Sequence, residues 1–537
     1  MAYDFINKVK FQDAMNISLL SLGAKLNAED VTRLSEYRRK WNFYEGFHWE
    51  ELPESGKAEV TKNYCRAFIN KFVAYELGKG FNIKMRPEVE ESILPFLNEV
   101  WKDNNVSTYC LELGQMKAIT GDGWTQVSYL PKFLDNGQPN PQFYDPYNEY
   151  EKGRIRILVV PSNICFPEYD DGYDKDNLRK FTVMYPVKVN PDAPSQTKTI
   201  VYKQVWTRDT VEVWWGSDLQ GTYANKYGVI PFFHTKNIPV AGRNTGLSDL
   251  EDLIPLNVEL NLKSSDVSEI IDYHSAPVTV VFGARIGQLE KGANKVWGGL
   301  PKDAKVENLG LDGDLSASTN YIKDLKKAMH EIGGVPEGAL GSELAISNTS
   351  GVALQITMLP LTEKIEQKRA QTSATLQAIN KLIIKIGLME GIIEADLDKW
   401  KNGDTYAKDI YQNEIMFEEN LPKDKLVELQ TLQLEMKLGL ADREEGMKRL
   451  GKRDIQSRLV EIDRDREKYP EIYGIKDELD KEEQEATIES TKEKTKLEKK
   501  EGLDIMKRPL NENKAGNQAQ VNSGFTNSRE KQQTTNS

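Results

Sequence analysis

The stretch SGVALQITMLPLTEKIEQKR, residues 350–369, opens the longest helical pattern of the chain. Short hydroxyl and amide side chains stand directly before it, at 348–350, and such residues are typical of helix N-caps. The pattern predicts one helix over 351–389, roughly 39 residues, which at about 1.5 Å per residue would be nearly 60 Å long. Pro360 lacks a backbone N–H and is expected to kink this helix in its first half.

The middle of this predicted helix, TEKIEQKRAQTSAT (362–375), is almost wholly polar. Beyond it, apolar side chains return at the three- and four-residue spacing of one helix face; they are Leu376, Ile379, Ile383 and Ile386. A long helix with a polar middle is expected to pack in patches, against neighbouring subunits rather than against a single core.

Upstream of the long helix, two shorter helical patterns enclose a region of strands and turns. GLSDLEDLIPLNVELNLKSSDVSEIIDY (246–273) has helical spacing, and Pro255 is expected near its first turns or at a bend. NYIKDLKKAMHEIGG (320–334) predicts a second helix that its two final glycines close. Residues 274–316 indicate strands and turns, and the glycine-containing run 335–351 indicates a loop.

The N-terminal part of the chain combines helical and strand patterns. Residues 28–46 carry one apolar helical stripe, and 62–80 form a similar pattern that ends at glycines. Short β-branched and aromatic runs bounded by turn residues occupy 124–235 and predict a mainly antiparallel sheet. The predicted fold class is therefore α+β, mainly helical.

The C-terminal part has three regions of different composition. A short mixed segment (390–420) is followed by further helical patterns up to about residue 473. Residues 474–537 are rich in Lys and Glu, then in Asn, Gln, Ser and Thr. Such a composition buries too little apolar surface to offset chain entropy, so this tail is expected to be disordered.

Composition excludes several classes of protein. The chain has 83 acidic and 71 basic residues and a net charge of −12, which argues against a protein that coats nucleic acid with a basic surface. Its three cysteines are far apart in sequence and form no C-x-x-C motif, so neither a disulfide framework nor a zinc knuckle is expected. No segment resembles a signal peptide or is long enough to span a bilayer, so we expect a soluble protein without a membrane partner.

Motifs for catalysis are absent from the sequence. It contains no P-loop, no H-E-x-x-H and no G-x-S-x-G, and each of its four separated histidines is expected to be structural. The acidic residues Glu168, Asp170, Asp171 and Asp174 are better explained by a solvated turn than by a magnesium or calcium site. TGDGW (120–124) is expected to be a turn rather than an anion site. No catalytic residue, metal ligand or cofactor is predicted.

The order of four stretches resembles a known family. They are VTKNYCRAFINKFVAYELGKGF (60–81), VIPFFHTKN (229–237), NTGLSDLEDLIPLNVELN (244–261) and the opening stretch 350–369. Together they resemble the portal proteins of tailed double-stranded DNA bacteriophages, and most of all the siphovirus type from Gram-positive hosts. The similar stretches are scattered over about 40–480, and their order and spacing carry the resemblance.

The resemblance implies a ring-forming subunit built as wing, stem, clip and crown. The implied parts are the wing (1–245, helical and then β-rich over 124–235), the first stem helix (246–273), the clip (274–316), the second stem helix (317–335), the tunnel loop (336–350), the long kinked wing helix (351–389), the wing return (390–420), the helical crown (421–473) and the polar tail (474–537).

It also implies a function and a set of partners. The family forms a ring, twelve-fold in the particle, at one capsid vertex, through which double-stranded DNA passes non-specifically during packaging and ejection. The large terminase subunit, scaffolding protein, major capsid protein and head-completion or adaptor proteins would be partners. The protein would be made in the host cytoplasm as a late protein, would become the head–tail connector of the virion, and would not be an enzyme.

Charge in the two stem helices agrees with such a conduit, because an acidic wall repels DNA and keeps it centred. The first stem helix is expected to form this wall wherever its carboxylates face inward; they are Asp249, Glu251, Asp252, Glu259, Asp266, Glu269 and Asp272. Lys323 and Lys327 of the second stem helix are further candidates for the channel wall. The lysines are expected to pair with carboxylates of neighbouring subunits rather than with phosphates. The tunnel-loop candidates for transient DNA contacts are Glu337, Glu343, Ser347, Asn348 and Thr349.

Three other interpretations remain open at this point. One is a different structural ring or adaptor protein of the phage head that forms no conduit for DNA. Another is a metal-dependent nuclease that uses Asp170, Asp171 and Asp174. The last is a helical scaffold protein of the cytosol, which would be a monomer at high concentration.

Overall fold

The computed structural model describes thirteen segments of the chain: residues 26–49, 59–134, 136–145, 150–170, 177–189, 198–275, 278–283, 301–309, 315–341, 351–393, 410–418, 425–450 and 455–469. The chain divides into two compact units, Met1–Lys423 and Asp424–Ser537. Among the described residues, no helix is both long and apolar enough to cross a membrane.

The described secondary structure mixes helices and strands, in agreement with the predicted α+β class. In chain order the helices are α1 (Ala28–Glu45), α2 (Tyr64–Leu77), α3 (Pro87–Asp103), α4 (Val106–Thr120), α5 (Leu253–Ser275), α6 (Ser316–Gly333), α7 (Gly351–Met389), α8 (Lys425–Lys437), α9 (Arg443–Arg449) and α10 (Ile455–Lys468). The strands are β1 (Asn82–Lys84), β2 (Asp122–Pro131), β3 (Gly153–Val160), β4 (Cys165–Tyr169), β5 (Leu178–Val189), β6 (Lys198–Trp206), β7 (Thr210–Trp215), β8 (Asp218–Ala224), β9 (Phe232–Lys236), β10 (Val278–Phe282), β11 (Lys305–Leu309) and β12 (Glu414–Met416).

The strands form two larger sheets and two small antiparallel pairs. The three-stranded sheet has the order β3-β2-β9, and the five-stranded sheet is a meander in the order β4-β5-β6-β7-β8. All pairings are antiparallel, as the sequence predicted for 124–235. β10 pairs with β11 between α5 and α6, and β1 pairs with the distant β12.

Side-chain caps fix the beginnings of the N-terminal helices. Asn27 accepts a hydrogen bond from the backbone N–H of Asp30 at the start of α1. Asn63 does the same for Arg66 in α2, and Asn105 for Thr108 in α4. These caps satisfy backbone donors that a helix leaves without partners in its first turn.

Helix α7 contributes to two of the hydrophobic cores of the first unit. The first core is centred on Ile93, Leu97 and Leu113, and α7 adds its residues from Leu376 to Ile386. The second core contains Phe68 and Phe72 of α2, Leu253 of α5, Met329 of α6, and Leu361 and Ile365 of α7. The long helix therefore connects the two cores.

One face of the polar middle of α7 is buried within its own subunit, so this face belongs to the core of the chain. Packing of the helix against neighbouring subunits stays a prediction. Lys368 and Thr372 have no exposed surface. They lie on the same face as Leu361, Ile365 and Leu376, so the buried face continues without a gap. The helix also continues through Pro360, which does not end it.

The second unit contains α8, α9 and α10. Leu432 of α8 is buried, and a side chain at Gly446 of α9 would contact it at 3.2 Å. Arg449 forms ion pairs with Glu435 and Glu445. The predicted tail, 474–537, lies outside the described residues.

Candidate functional site

The helix pair α5 and α6 carries the predicted channel-wall residues. Leu253 and Leu260 of α5 and Leu325 and Met329 of α6 are buried in the same core. The hairpin of β10 and β11 lies between the two helices in sequence. Pro255 is the third residue of α5, so it lies in the first turn, where the missing N–H costs no hydrogen bond.

A polar cluster fastens the first half of α5 to the segment before α2. Asn257 accepts from the N–H of Tyr64 at 3.1 Å, and Asn261 accepts from the N–H of Lys62 at 2.9 Å. The amide group of Asn261 donates to Nδ1 of His48 at 2.7 Å, while Nε2 of His48 lies 2.8 Å from the carbonyl oxygen of Phe43. These contacts require a neutral His48 with its proton on Nε2, and burial lowers its pKa.

Two of the expected wall residues are engaged elsewhere, which corrects the acidic wall predicted from the sequence. Helix α5 begins at Leu253 and not near 246, because backbone N–H groups of 249–250 bond the carbonyl of Ala118 and the hydroxyl of Ser248. Asp249 lies in this non-helical segment and is buried. Glu251 forms an ion pair with Lys40 of α1 at 2.7 Å.

The remaining carboxylates of this segment fall into two groups. Glu259 and Asp266 lie two turns apart on the side of α5 opposite its buried residues, and Asp252 is exposed just before the first turn. Lys263 lies between them, 3.9 Å from Glu259 and 3.3 Å from Asp266. Glu269 lies further along α5, turned by roughly 60–80° from that line.

The two predicted lysines occupy one exposed face of α6. Lys323 and Lys327 are one helical turn apart. Lys327 lies 3.7 Å from Glu331 of the same helix, and both side chains are largely exposed, so this pair contributes little. Lys323 has no ion-pair partner in the part of the chain that the structure describes.

One predicted loop residue is described. Glu337 begins a 3₁₀ turn, Glu337–Leu340, directly after α6, and its carboxylate lies 3.4 Å from Lys326 and 3.9 Å from Nε2 of His330. The other loop candidates lie outside the described residues; they are Glu343, Ser347, Asn348 and Thr349.

A buried charge network, which sequence reasoning missed, lies at the junction of α2, α4, α7 and the segment before α5. It consists of Glu76, Lys117, Asp249, Lys364 and Lys368. Lys368 lies 2.7 Å from Asp249 and 3.5 Å from Glu76, Lys117 pairs with Glu76, and Lys364 lies 3.1 Å from Asp249. Lys364 also donates to the carbonyl oxygen of Gly333 at the end of α6, at 3.2 Å.

The network keeps its carboxylates ionised although burial opposes this. Burial raises the pKa of Asp249, but the ammonium groups of Lys368 and Lys364 outweigh it and hold the pKa at about 2. Burial likewise opposes ionisation of Glu76, and Lys117 and Lys368 lower its pKa. Burial lowers the pKa of Lys368, and Asp249 and Glu76 overcome it and raise the pKa. Each charge therefore depends on its partners.

A second buried carboxylate joins the turn after α4 to the sheet. Asp122 accepts from the hydroxyl of Tyr37 at 2.5 Å and from the N–H of Gly246 at 2.8 Å. Nε2 of His234, stacked on Trp124, lies 2.8 Å from the same carboxylate. The structural role of His234 stays a prediction.

The described residues contain no group of His, Cys, Asp and Glu that would hold a metal ion. Asp170 is described, whereas Asp171 and Asp174 lie outside the described residues. The three cysteines are buried free thiols. TGDGW forms the turn from α4 into β2, as predicted, with Gly121 at a φ of 96°.

Comparisons with known proteins give a family for the chain. Residues 24–485 match the family model "Phage portal protein, SPP1 Gp6-like", and this range includes every described helix and strand. No curated protein matches the sequence.

Among the solved structures with a similar chain are three from gene transfer agent (GTA) particles. One is the virion of the native GTA particle, at 13% identity and a TM-score of 0.39, covering 82% of this chain and 98% of that chain. The second is the neck of the native particle computed with C12 symmetry, at 14% identity and a TM-score of 0.38. The third is the neck of the empty particle computed with C6 symmetry, at 13% identity and a TM-score of 0.40. Both cover 72% of this chain and 89% of theirs.

The match over most of the chain defines a structural, non-enzymatic class of phage protein. Within that class, the chain belongs to the phage portal protein family of the SPP1 Gp6-like type.

Proposed function

We propose that copies of this chain form a ring, twelve-fold in the particle, at the unique vertex of a phage capsid, and that double-stranded DNA passes through the ring during packaging and ejection. The observation that carries the proposal is the family match over residues 24–485. The phage would be a siphovirus of a Gram-positive host, and the protein would be made in the host cytoplasm before it enters the virion.

In this proposal the parts keep the order expected from the sequence, with the first stem helix beginning at Leu253. The α5–α6 pair forms the stem, the hairpin of β10 and β11 belongs to the clip, α7 is the long wing helix, and α8–α10 form the crown. Residues 336–350 are the tunnel loop between the stem and α7, and a bend at Pro360 directs the start of α7 toward the channel.

The line of Asp252, Glu259 and Asp266, which begins just before α5 and continues along it, is the surface best suited to face a channel. It lies opposite the buried side of the helix and carries a net negative charge even with Lys263. Repeated around a ring, these carboxylates repel phosphates, so DNA would slide without forming the salt-dependent complex that a basic wall gives.

The buried charge network fastens the two helices that the proposed tunnel loop connects. Lys364 bonds the end of α6, and Lys368 bonds Asp249 directly before α5. The loop lies between α6 and α7 in sequence, and the network fastens both helices. Glu337, Glu343, Ser347, Asn348 and Thr349 would give DNA only transient polar contacts.

The partners follow from the same proposal. The large terminase subunit would dock on the ring and supply ATP hydrolysis, scaffolding and major capsid proteins would contact it during assembly, and head-completion or adaptor proteins would bind it afterwards.

Electron microscopy of the purified full-length chain tests the ring. Annular particles with a stain-filled central hole are expected. A chain that sediments as single polypeptides in every buffer would refute the proposal.

Deletion of residues 339–347 tests the channel role of the loop. Particles assembled with this variant are expected to package less DNA than wild-type particles. Packaged genomes of normal length and number would show that the loop has no role in the conduit.

A further inference from the structure

Two sets of charged side chains near the hairpin end of the α5–α6 pair point to a second copy of the same chain. The acidic set is Glu269 and Asp272 of α5, and the basic set is Lys323 and Lys327 of α6. Glu269 is half-buried, and the other three side chains are exposed. Among the described residues, Glu269, Asp272 and Lys323 have no ion-pair partner.

The two sets lie at comparable heights along the pair. Glu269 is six residues before the last residue of α5, Ser275, and Lys323 is seven residues after the first residue of α6, Ser316. Members of each set are three or four residues apart, so each forms one short row on its helix. Both rows lie near the same hairpin, yet no ion pair joins them within the described chain, so the two rows do not neutralise each other there.

We propose that the basic row of one copy contacts the acidic row of the next copy around the ring. This inference rests on the ring of the proposed function and names the lateral contact within it. An arrangement that placed α5 against α5, or α6 against α6, would bring like charges together, whereas α6 against α5 brings opposite charges together. Such a head-to-tail contact uses two different surfaces, which is the kind of interface that closes into a ring.

This contact determines how neighbouring copies are oriented more than how tightly they bind. Exposed ion pairs contribute little binding free energy, but facing like charges are costly, so the rows exclude the reversed arrangement. The line of Asp252, Glu259 and Asp266 lies on another side of α5 and stays available to the channel.

Charge reversal in two separate chains tests the contact. The first variant carries Lys323→Glu and Lys327→Glu, and the second carries Glu269→Lys and Asp272→Lys. Each alone is expected to associate at least about tenfold more weakly than wild type, because every interface then holds like charges. Mixed in equal amounts, the two variants are expected to form rings that contain both chains, and a chain with all four changes is expected to form rings by itself.

Ring content is measured by light-scattering mass and electron microscopy, with far-ultraviolet circular dichroism to verify folding. The control is Glu91→Lys with Glu99→Lys, two exposed residues of α3, which belongs to the other core. It is expected to form rings as wild type does. Rings from either single variant at wild-type yield, failure of the mixture to form rings, or equal loss in the control would overturn the contact while the ring itself stands. Absence of rings from the wild-type chain would overturn the proposed function and this contact together.

Discussion

Lys368 shows how a single buried charge holds several elements in place. Its side chain has no exposed surface, and its ammonium group lies between Asp249 and Glu76 and 5.0 Å from the centre of the Phe72 ring. Taking an ion out of water costs several kcal/mol, and only well-placed partners offset that cost. The residue therefore stabilises α7 against α2 only while the whole network is intact.

Lys368→Met is expected to lower the free energy of unfolding of the first unit by about 3–5 kcal/mol, because two buried carboxylates each lose a cation. Urea unfolding of the full-length chain, followed by circular dichroism, measures the change. Lys381→Met is the matched control, since Lys381 is exposed on the same helix, and should change stability by no more than about 0.5 kcal/mol. Equal effects of the two substitutions would contradict a stabilising network.

His48 makes the stability of the first unit depend on pH. Burial lowers its pKa in the folded chain, so below about pH 6.5 the unfolded chain binds a proton more readily than the folded chain. The contribution of His48 to the free energy of unfolding is therefore complete above that pH and decreases as the pH falls toward the pKa of the folded state. Protonation would also place a hydrogen on Nδ1, against the amide of Asn261.

His48→Gln is expected to reduce the loss of stability between pH 7 and pH 5. Glutamine can accept from Asn261 and donate to the carbonyl of Phe43, as the neutral imidazole does, but it does not titrate. Urea midpoints of the wild type and the variant at both pH values give the comparison. An unchanged difference between the two pH values would show that His48 does not cause it.

At the scale of elements, two turns meet with no room between their backbones. Gly121 follows α4 at a φ of 96°, and a Cβ there would lie 2.3 Å from the carbonyl oxygen of Gly246. Gly246 in turn donates its N–H to Asp122. The close approach therefore joins the start of β2 to the segment that leads into α5.

Gly121→Ala is expected to destabilise the first unit by more than about 2 kcal/mol, because it combines an unfavourable φ with a backbone clash. Gly137→Ala is the matched control: Gly137 has a φ of 75°, and nothing lies within 4 Å of a Cβ there, so only the backbone cost of about 1 kcal/mol remains. Thermal unfolding of the two variants and the wild type measures the loss of stability at each position. Similar costs at both positions would mean that the contact with Gly246 relaxes easily.

Local sequence patterns predicted some elements well, but they failed where contacts between distant residues determine the structure. Helix α7 has the predicted bounds, 351–389, because its polar start and its apolar spacing are both local signals. The burial of Lys368 and Thr372 was missed because both are polar, although they continue the face of Leu361, Ile365 and Leu376. That continuity was a usable signal in the sequence.

The start of α5 shows the opposite case. Helical spacing extends back to 246, yet Ser248 bonds the carbonyl oxygens of Ala118 and Ile119, and Asp249 is drawn to Lys368. Both partners are far away in sequence, so no local pattern reveals them. The carboxylates of Asp249 and Glu251 were consequently assigned to the wrong surface.

At the scale of the whole molecule, the charge of −12 is divided between different uses. Asp249 and Glu76 are neutralised inside the first unit, and Glu251 pairs with Lys40. Asp252, Glu259 and Asp266 remain on the surface of α5 and carry the proposed repulsion of DNA. A test of the conduit can therefore change this line without touching the core.

The substitutions Asp252→Asn, Glu259→Gln and Asp266→Asn leave Lys263 as the one charge of the line. Wild-type rings are expected to show no retention of linear double-stranded DNA in a gel-shift assay, whereas rings of the triple variant should retain it at low salt and release it as salt rises, because released counterions then drive binding. The control changes the same number of carboxylates on α3, Glu90→Gln, Glu91→Gln and Glu99→Gln, and should behave as wild type. Equal retention by both variants would mean that overall charge, and not a channel wall on α5, sets the interaction with DNA.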